Sequence, residues 1–367
     1  MRVVIIVNTP GQFHFFRNIY EQLTKRGNKV SFVIRTTWKE TADLARELHF
    51  ENFMYDSNVE LRAGKVIGLP FVVHTLTRYC MGFNPDIIVG FGVYDAFVSG
   101  LIGRTCIEFN DSEFFVNPMF YPLQYRAYRR FVSSIITPSC FRQDLGSKQI
   151  RVESYKELAY LHPNYYIPNE EIFDCLGVKK NEDYVILRFN SFDAVHDIGI
   201  KGFTTENKEE LVRSLSKSTR VFISSERKLT KSIEDYALPI PKNRIHDALF
   251  FSKLLVTDTQ TMATEAAVLG TPVVRCNEFV GFSDMGNFLE LEKRFGLIYN
   301  ISNHREAIEK ANELVNMPNL KKEWKEKRVR MLQQKVDITQ LMAWFIENYP
   351  RSLEMMKENP RTQYQFN

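Results

Sequence analysis

Residues 253–275 read KLLVTDTQTMATEAAVLGTPVVR, and this stretch decides the fold class of the chain. The apolar run Lys253–Thr257 is typical of a buried strand, and Asp258 follows it at the start of a short polar loop. The next segment has a helical composition and is expected to end at Gly270, because glycine readily adopts the left-handed conformation found at helix C-termini. Pro272 prevents the helix from continuing. The stretch therefore predicts a strand, a helix and a second strand.

The loop between this strand and helix has the composition of an anion-binding site. A helix N-terminus that follows a parallel strand offers free backbone N–H groups and the positive end of the helix dipole. Thr259, Gln260 and Thr261 add polar groups there, and the Glu265 carboxylate lies one turn further on. Together with Asp258 they favour a nucleotide-sugar site. In the alternative interpretation, Thr261 only caps the helix and Glu265 only favours its first turn.

Strand-length apolar runs alternate with helix-period segments, which predicts an α/β protein with parallel sheets. The predicted strands are Val3–Val7, Val30–Ile34, Ile87–Val89, Arg104–Phe109, Ser134–Thr137, Tyr184–Phe189, Arg220–Ser224, Lys253–Thr257 and Pro272–Arg275. The predicted helices include Phe13–Arg26, Thr41–Leu48, Leu69–Met81, Lys208–Ser216, Ile245–Phe251, Arg305–Leu314 and Leu320–Asn348. Residues 358–367 are expected to be frayed.

Length and composition narrow the class of protein. A chain of 367 residues exceeds the usual size of one core, so two domains are expected, joined near residues 161–171, LHPNYYIPNEE. The net charge of +4 and the lack of a basic tract suited to a nucleic-acid groove argue against nucleic-acid binding. Five scattered cysteines and an N-terminus without a signal-peptide pattern predict a cytoplasmic protein.

Four acidic or basic side chains of the first half follow predicted strands at their carboxyl ends. His14 opens the first helix and is a candidate general base, or alternatively a partly buried helix residue among aromatics. Asp111 is a candidate to orient His14, to act as a base or to bind a sugar hydroxyl. Glu113 is a candidate substrate contact, unless it forms a capping box with Ser112. Asp95 is either a helix cap or a substrate contact.

The second half offers a further group after the strand that ends at Phe189. Arg188 and His196 are candidates to balance the charge of a diphosphate. Asp193, His196 and Asp197 are also potential metal ligands, but no Cys/His partner stands at zinc spacing, so no metal site is predicted.

The two following strand–helix junctions carry candidate nucleoside contacts. Glu226 is expected to touch a base or ribose. Backbone groups of Arg244 and Ile245 are expected to hold the edge of a nucleobase, with His246 beside them. The alternative is that His246 or Asp247 caps the helix that begins there.

Absent motifs exclude several enzyme classes, and one basic segment suggests a membrane contact. The sequence has no Walker-type phosphate loop, no Gly-x-Gly-x-x-Gly after the first strand and no Gly-x-Ser-x-Gly elbow. Residues 119–131, MFYPLQYRAYRRF, are basic and aromatic. They are predicted either to rest on an anionic membrane and meet a lipid-linked acceptor, or to form a core helix with solvated arginines.

Several of these motifs resemble an uncharacterised microbial family of predicted glycosyltransferases. The similarity rests on DAVHD, ISSE, IHDALFFSKLLVTDTQTMATEAAVLGTPVVR, NEFVGFSD and ELEKRFGL, with TPGQFHFF and IITPS in the first half. The family is similar to the GT-B superfamily, which includes UDP-N-acetylglucosamine 2-epimerase and the lipid-linked muramyl peptide N-acetylglucosaminyltransferase. The epimerase pattern Asp-Ser-Gly-Gly-x-x-x-Glu aligns with Asp258–Glu265, with Gln260 and Thr261 in place of its glycines.

The resemblance implies a GT-B fold, with two Rossmann-like domains whose parallel sheets face a central cleft and with C-terminal helices packing across both. We expect an acceptor-side domain over residues 1–163, a nucleotide-sugar-binding domain over 164–335 and a helical segment over 336–367 that returns toward the first domain. The loop at 258–265 is expected at the cleft.

The implied activity is a metal-independent glycosyltransferase. It would use a nucleoside-diphosphate sugar, foremost a UDP-sugar, and a glycan or lipid-linked acceptor in polysaccharide biosynthesis, with no tightly bound cofactor. A location at the inner face of the membrane is compatible with this activity. An epimerase acting on a free nucleotide-sugar and a nucleotide-sugar-binding protein without turnover stay open as alternatives.

Overall fold

The computed structural model describes residues 1–36, 39–55, 65–114, 118, 120–190, 202–225, 228–281 and 284–367. The chain divides into two compact units. Unit 1 comprises Met1–Tyr160 and Lys335–Asn367, and unit 2 comprises Leu161–Gln334. No helix among the described residues is both long enough and apolar enough to cross a membrane.

Unit 1 is built on a seven-stranded parallel sheet with the order β3-β2-β1-β4-β5-β6-β7. Its strands are β1 (Arg2–Val7), β2 (Lys29–Arg35), β3 (Asn52–Tyr55), β4 (Ile87–Gly90), β5 (Thr105–Phe109), β6 (Ser134–Pro138) and β7 (Gln149–Val152). Its helices are α1 (Pro10–Lys25), α2 (Lys39–Glu47), α3 (Lys65–Phe83), α4 (Tyr94–Ile102), α5 (Phe120–Tyr128), α6 (Leu158–Leu161, whose last residue belongs to unit 2), α14 (Ile338–Glu347) and α15 (Arg351–Glu358).

The helices of unit 1 cover both faces of the sheet, and neighbouring residues of β2 show which helix lies on which face. The Phe32 ring packs against Phe13 and Tyr20 of α1. Ser31, which points to the other face because strand side chains alternate, lies with its hydroxyl 2.6 Å from that of Tyr79 in α3. Helices α3, α4 and α5 share this second face through two connected apolar clusters, whereas α14 packs against α1 on the first.

The C-terminal residues are ordered by long-range hydrogen bonds, so the expectation of fraying at 358–367 is wrong. Residues 360–366 form 3₁₀ turns in which the side chain of Gln363 is buried. Its carbonyl oxygen accepts a hydrogen bond from the Glu153 amide at 2.7 Å, and the Phe366 carbonyl accepts one from Asp337. Distant backbone partners stabilise a segment whose composition alone suggests a mobile end.

Unit 2 is built on a five-stranded parallel sheet with the order β12-β11-β10-β8-β9. Its strands are β8 (Tyr184–Phe189), β9 (Arg220–Ser225), β10 (Leu254–Thr257), β11 (Val273–Arg275) and β12 (Ile298–Asn300). Its helices are α7 (Ile172–Leu176), α8 (Thr205–Leu215), α9 (Ile245–Phe251), α10 (Thr261–Leu269), α11 (Gly286–Lys293), α12 (His304–Val315) and α13 (Leu320–Leu332).

Two parallel sheets flanked by helices confirm the predicted α/β class. All nine predicted strands are present within one or two residues of their predicted ends, whereas the short strands β3, β7 and β12 were not predicted. The helix predicted over Leu320–Asn348 is wrong as a single element. It is interrupted between α13 and α14, because the Asp337 carboxylate accepts the Gln340 amide at 3.0 Å and begins a new helix there.

Candidate functional site

The N-terminus of α10 is exposed and carries no side-chain cap among the described residues. Gln260 stands at the N-cap position, and Thr261 is exposed. The Thr264 amide donates to the Gln260 carbonyl at 3.2 Å, so the helical ladder begins there and leaves the preceding N–H groups of the first turn outside it. Thr261 does not cap the helix, contrary to the alternative interpretation. Gly270 ends it at φ 83°, which confirms the predicted C-terminus.

Asp258 is buried and accepts hydrogen bonds from two backbone segments near this helix. Its Oδ1 accepts the Asn190 amide at 2.7 Å, and its Oδ2 accepts the Phe203 amide at 3.3 Å. Burial raises the pKa of this carboxyl group to about 6, against the opposing effect of these backbone donors. In this arrangement the carboxylate holds both ends of the connection between β8 and α8.

Hydroxyl and amide groups fix the backbone of the loop that precedes α10. The Thr257 hydroxyl donates to the Arg188 carbonyl at 3.0 Å and accepts the Thr259 amide at 2.9 Å. The Thr259 hydroxyl lies 2.8 Å from that of Thr257, and the Asn277 side-chain amide donates to the Asp258 carbonyl at 2.9 Å. The loop is therefore preorganised by contacts within the protein.

His246 of α9 and Glu265 of α10 form a pair at this site. The Nε2 atom of His246 lies 3.1 Å from Oε1 of Glu265, and both side chains are largely buried. The Tyr166 ring lies nearly perpendicular to the imidazole, with ring centroids 6.3 Å apart. The structure brings together two residues that the sequence placed on separate elements.

Asp247 connects the start of α9 to the segment that follows α6, and it was not among the predicted site residues. Its carboxylate accepts hydrogen bonds from the Tyr166 hydroxyl at 2.7 Å, the Asn169 amide at 3.1 Å and Arg244 Nε at 2.8 Å. It does not cap α9, whose N-terminus has no side-chain cap within the part of the chain that the structure describes. The amides of Arg244 and Ile245 already donate to Pro241 and Lys242 carbonyls, so neither N–H is open to a nucleobase.

The remaining predicted residues of unit 2 are described in part. Arg188 lies on β8, and its Nη1 donates to the Ser224 hydroxyl of β9 at 3.0 Å. Glu226 and His196 lie outside the described residues, as do Asp193 and Asp197. The described part of the chain holds no group of three or more His, Cys, Asp or Glu residues that fits a metal ion.

In unit 1 the structure places His14 and Asp111 against different partners. The His14 ring, on α1, packs at 5.4 Å from the Tyr160 ring. Asp111 forms an ion pair with Lys156, and both side chains are mostly buried. Glu113 accepts a hydrogen bond from the Arg142 amide. The capping-box alternative for Glu113 is not tested, because residues 115–117 and 119 lie outside the described part of the chain.

Two fully buried carboxyl groups, Asp95 and Glu108, lie near the carboxyl ends of β4 and β5. Asp95 accepts the Gly92 amide at 3.1 Å, and Glu108 accepts the Tyr128 hydroxyl at 3.0 Å. Burial raises the pKa of Asp95 to about 6. Burial, and secondarily the charge of Asp95, raise the pKa of Glu108 well above its usual range. A β-carbon at Gly92 would lie 2.6 Å from the Tyr128 hydroxyl, so the cluster requires glycine there.

The sequence analysis missed Glu108 and a second buried charge, Arg275. Arg275 ends β11 and is fully buried, with a bidentate ion pair to Asp284 at 2.6 and 3.0 Å. It also donates to Asn300 at 2.7 Å and lies over the Phe288 ring at 3.6 Å. The sequence feature that could have identified them is a charged residue in the last two positions of an apolar strand. It occurs in CIEF for Glu108 and in PVVR for Arg275.

Solved structures of similar fold decide the architecture. The structure of S. aureus MnaA with UDP matches with a TM-score of 0.69 and 10% identity, over 96% of this chain and 97% of that one. UDP-GlcNAc 2-epimerase from Neisseria meningitidis bound to UDP-GlcNAc matches with a TM-score of 0.61 and 12% identity, over 90% and 100%.

MurG from Acinetobacter baumannii matches with a TM-score of 0.59 and 14% identity, over 94% of this chain and 99% of that one. The chain has the GT-B fold. The predicted GT-B fold class is thereby confirmed. No protein-family model and no curated protein sequence matches the chain.

Proposed function

We propose that the chain binds a nucleoside-diphosphate sugar at α10 and transfers the sugar to an acceptor. The observation that carries this proposal is the exposed, uncapped N-terminus of α10 beside the paired His246 and Glu265. The diphosphate would accept hydrogen bonds from the first-turn N–H groups, and Glu265 would accept them from ribose hydroxyls. UDP and UDP-GlcNAc in the similar structures support a uridine nucleotide as the donor.

The same helix end would assist the chemistry. Negative charge grows on the diphosphate as the bond to the sugar breaks, and fixed N–H dipoles stabilise that charge without reorganisation. No metal ion is required in this scheme. In unit 1, His14 would take the proton of the acceptor hydroxyl and Asp111, held by Lys156, would orient that hydroxyl or serve as the base in its place. The proposed acceptor is a glycan or lipid-linked sugar in surface polysaccharide synthesis at the cytoplasmic side of the membrane.

A 2-epimerase acting on the nucleotide-sugar alone is the second candidate. It is supported by the UDP-GlcNAc 2-epimerase among the similar structures, and Asp111 or Glu113 would supply its acid or base group.

Donor binding is tested by calorimetric titration with UDP, UDP-GlcNAc and other nucleotide-sugars. Glu265→Gln keeps the volume of the side chain and should weaken binding at least about tenfold, since the charge-assisted hydrogen bonds to ribose are lost. Glu309→Gln is the matched control, because Glu309 is exposed on α12 and pairs only with its helical neighbour Arg305 among the described residues. Equal affinities in wild type and Glu265→Gln would contradict the proposed site.

Product analysis then separates the reactions. A transferase releases nucleoside diphosphate only when an acceptor is present, whereas an epimerase converts the nucleotide-sugar by itself. His14→Asn should lower kcat of a transferase with little change in the Kd of the donor. If the protein binds the donor tightly but converts it neither alone nor with lipid-linked or free glycan acceptors, both enzyme proposals are rejected. The chain would then be a nucleotide-sugar-binding protein.

A further inference from the structure

One surface of unit 1, the outer side of the helix row α3–α4–α5, combines exposed apolar side chains with arginines. Phe71, Met81, Leu101 and Leu123 are 60%, 66%, 66% and 68% exposed, and they are four of the nine large apolar residues that stand exposed among the described ones. Single exposed apolar residues are ordinary, but a concentration of them on one helical layer marks an interaction surface. We call it the α3–α5 surface.

The apolar residues and the arginines lie on the same stripes of their helices. On α3, Phe71, Arg78 and Met81 stand seven and three residues apart and are all exposed. On α5, Leu123 and Arg126 stand three residues apart and are both exposed, whereas Tyr125 is buried in the core. Helical residues at these spacings share one face, so each stripe presents apolar and cationic groups together.

The helices of this row are connected, so that the stripes belong to one layer. Helices α3 and α4 pack against each other, and Phe131, just after α5, packs on Gly100 of α4 so closely that a β-carbon there would lie 2.2 Å from the ring. Arg104, which follows α4, donates to the Asn84 side chain that follows α3 at 2.6 Å. Met81 and Leu101 are therefore carried on helix ends that are joined to each other.

The three helices of this surface carry no exposed acidic side chain. The sequence over 65–83 and 120–131 contains no Asp or Glu, and the acid of α4, Asp95, is fully buried. Five arginines of this row are exposed: Arg78, Arg104, Arg126, Arg129 and Arg130. Helices α1 and α14, on the opposite face of the sheet, differ, since they carry Glu21 and Glu347.

We infer that the α3–α5 surface docks on a membrane that contains anionic lipid. Arginines in a helix row that carries no exposed carboxylate attract the phosphates of the headgroups, and the exposed Phe, Met and Leu side chains enter the boundary between headgroups and acyl chains. The inference stands apart from the proposed reaction at α10, because lipid binding is measured without any nucleotide-sugar. If that reaction is also correct, the surface brings the enzyme to a lipid-linked acceptor.

The test is co-sedimentation of the full chain with vesicles of phosphatidylcholine alone or mixed with phosphatidylglycerol, at low and high salt. Wild type should bind the anionic vesicles at low salt and bind more weakly at high salt. Arg78→Gln, Arg126→Gln and Arg129→Gln combined should weaken that binding at least about tenfold, since each basic residue near the surface contributes roughly fivefold.

Two further variants separate the contributions. Met81→Ser with Leu123→Ser should weaken binding at least about fivefold, because less apolar area enters the lipid. Lys25→Gln, Arg351→Gln and Lys357→Gln combined remove the same charge from exposed positions on α1 and α15 and should bind like wild type. All these side chains are exposed, and unchanged circular dichroism and Tm confirm that each variant is folded.

Three results would overturn the inference. The first is a wild-type protein that does not sediment with anionic vesicles at low salt. The second is an equal loss of binding in the arginine variant and in the charge-matched control. The third is a wild-type dimer, found by analytical ultracentrifugation, that Met81→Ser with Leu123→Ser converts to monomer, because the surface would then be an interface between two copies.

Discussion

The imidazole of His246 lies 3.1 Å from the Glu265 carboxylate, although the two residues belong to different helices. When Nε2 carries its hydrogen, His246 donates to Oε1 of Glu265 and fixes the orientation of that carboxylate. Such a fixed acceptor suits a vicinal diol, which has two hydroxyl donors at a set distance. His246 would thus be a positioning residue that acts through Glu265.

Replacement of His246 should therefore weaken nucleotide affinity without loss of fold. His246→Ala is expected to raise the Kd for UDP about fivefold to tenfold, because the Glu265 side chain loses its donor. His246→Gln can still donate an N–H group and should recover most of the affinity. Calorimetric titration of both variants checks this, and equal weakening by Ala and Gln would show that donation to Glu265 is not the role of His246.

Asp258 should make stability depend on pH between about 4 and 6. Burial raises the pKa of its carboxyl group from 3.8 to about 6 in the folded state, so the protonated form is favoured by folding. The stability linked to that proton is present in full below pH 4 and is lost as pH rises through 6, by about 3 kcal/mol in total. Asp258→Asn cannot ionise and should not show this loss.

In Asp258→Asn, the side-chain amide has one oxygen where the carboxylate has two, so one of the two backbone N–H donors loses its acceptor. This loss lowers the free energy of unfolding by about 1–3 kcal/mol at every pH. The variant should thus be less stable than wild type at pH 4, and the difference should shrink toward pH 7. Urea denaturation of both proteins between pH 4 and 7 measures this difference in the free energy of unfolding. The pKa of Asp95 is also raised to about 6, but Asp95 is present in both proteins and contributes equally to each. A difference that stays constant with pH would contradict the raised pKa of Asp258.

Glu108 should tolerate replacement by its neutral isostere. Burial raises the pKa of this carboxyl group well above its usual range, which favours the protonated acid in the folded state. Glu108→Gln keeps an acceptor for the Tyr128 hydroxyl and should change the free energy of unfolding at pH 7 by less than about 1 kcal/mol. Destabilisation of several kcal/mol in urea denaturation would show that Glu108 is ionised in the native state.

The ion pair of Arg275 and Asp284 is buried, and each member depends on the other. Arg275→Met leaves the Asp284 carboxylate without its bidentate cation and should destabilise unit 2 by about 3–5 kcal/mol. The double variant with Asp284→Asn should recover part of that loss, since no carboxylate is then left without its cation. Additive losses in the double-mutant cycle would show that the two side chains do not stabilise each other.

The sequence predicted the elements of this fold well where burial is continuous along the chain. Strands such as β1 and β10 are almost entirely apolar, and Gly270 marks the end of α10 with a positive φ that few other residues adopt easily. The edge strands β3, β7 and β12 are short and only partly buried, so their residues carry too little pattern to be recognised.

The contacts of the candidate site could be predicted only in part. The sequence identified the loop before α10 because strand, polar loop and helix are consecutive. It could not show that Asp258 holds the Asn190 and Phe203 amides, or that Asp247 holds Tyr166, because these partners are distant in the chain. The periodicity of apolar residues indicates which residues are buried. The hydrogen-bond partners of buried polar groups depend on tertiary packing, which the periodicity does not indicate.

The central claim is that a diphosphate binds at the N-terminus of α10, and a negative charge at Thr261 tests it most directly. Thr261→Asp places a carboxylate at the exposed first position of the helix, where it stabilises the helix dipole but repels an anionic ligand. Thr205→Asp is the matched control, at the exposed first position of α8, where Thr204 already caps the Asn207 amide.

The deciding measurement is the Kd for UDP by calorimetric titration of wild type and the two variants. We expect Thr261→Asp to raise the Kd at least about tenfold while Tm stays equal or rises, and Thr205→Asp to change the Kd by less than about twofold. If Thr261→Asp binds UDP as tightly as wild type, or if both variants lose affinity equally, the diphosphate does not rest on α10.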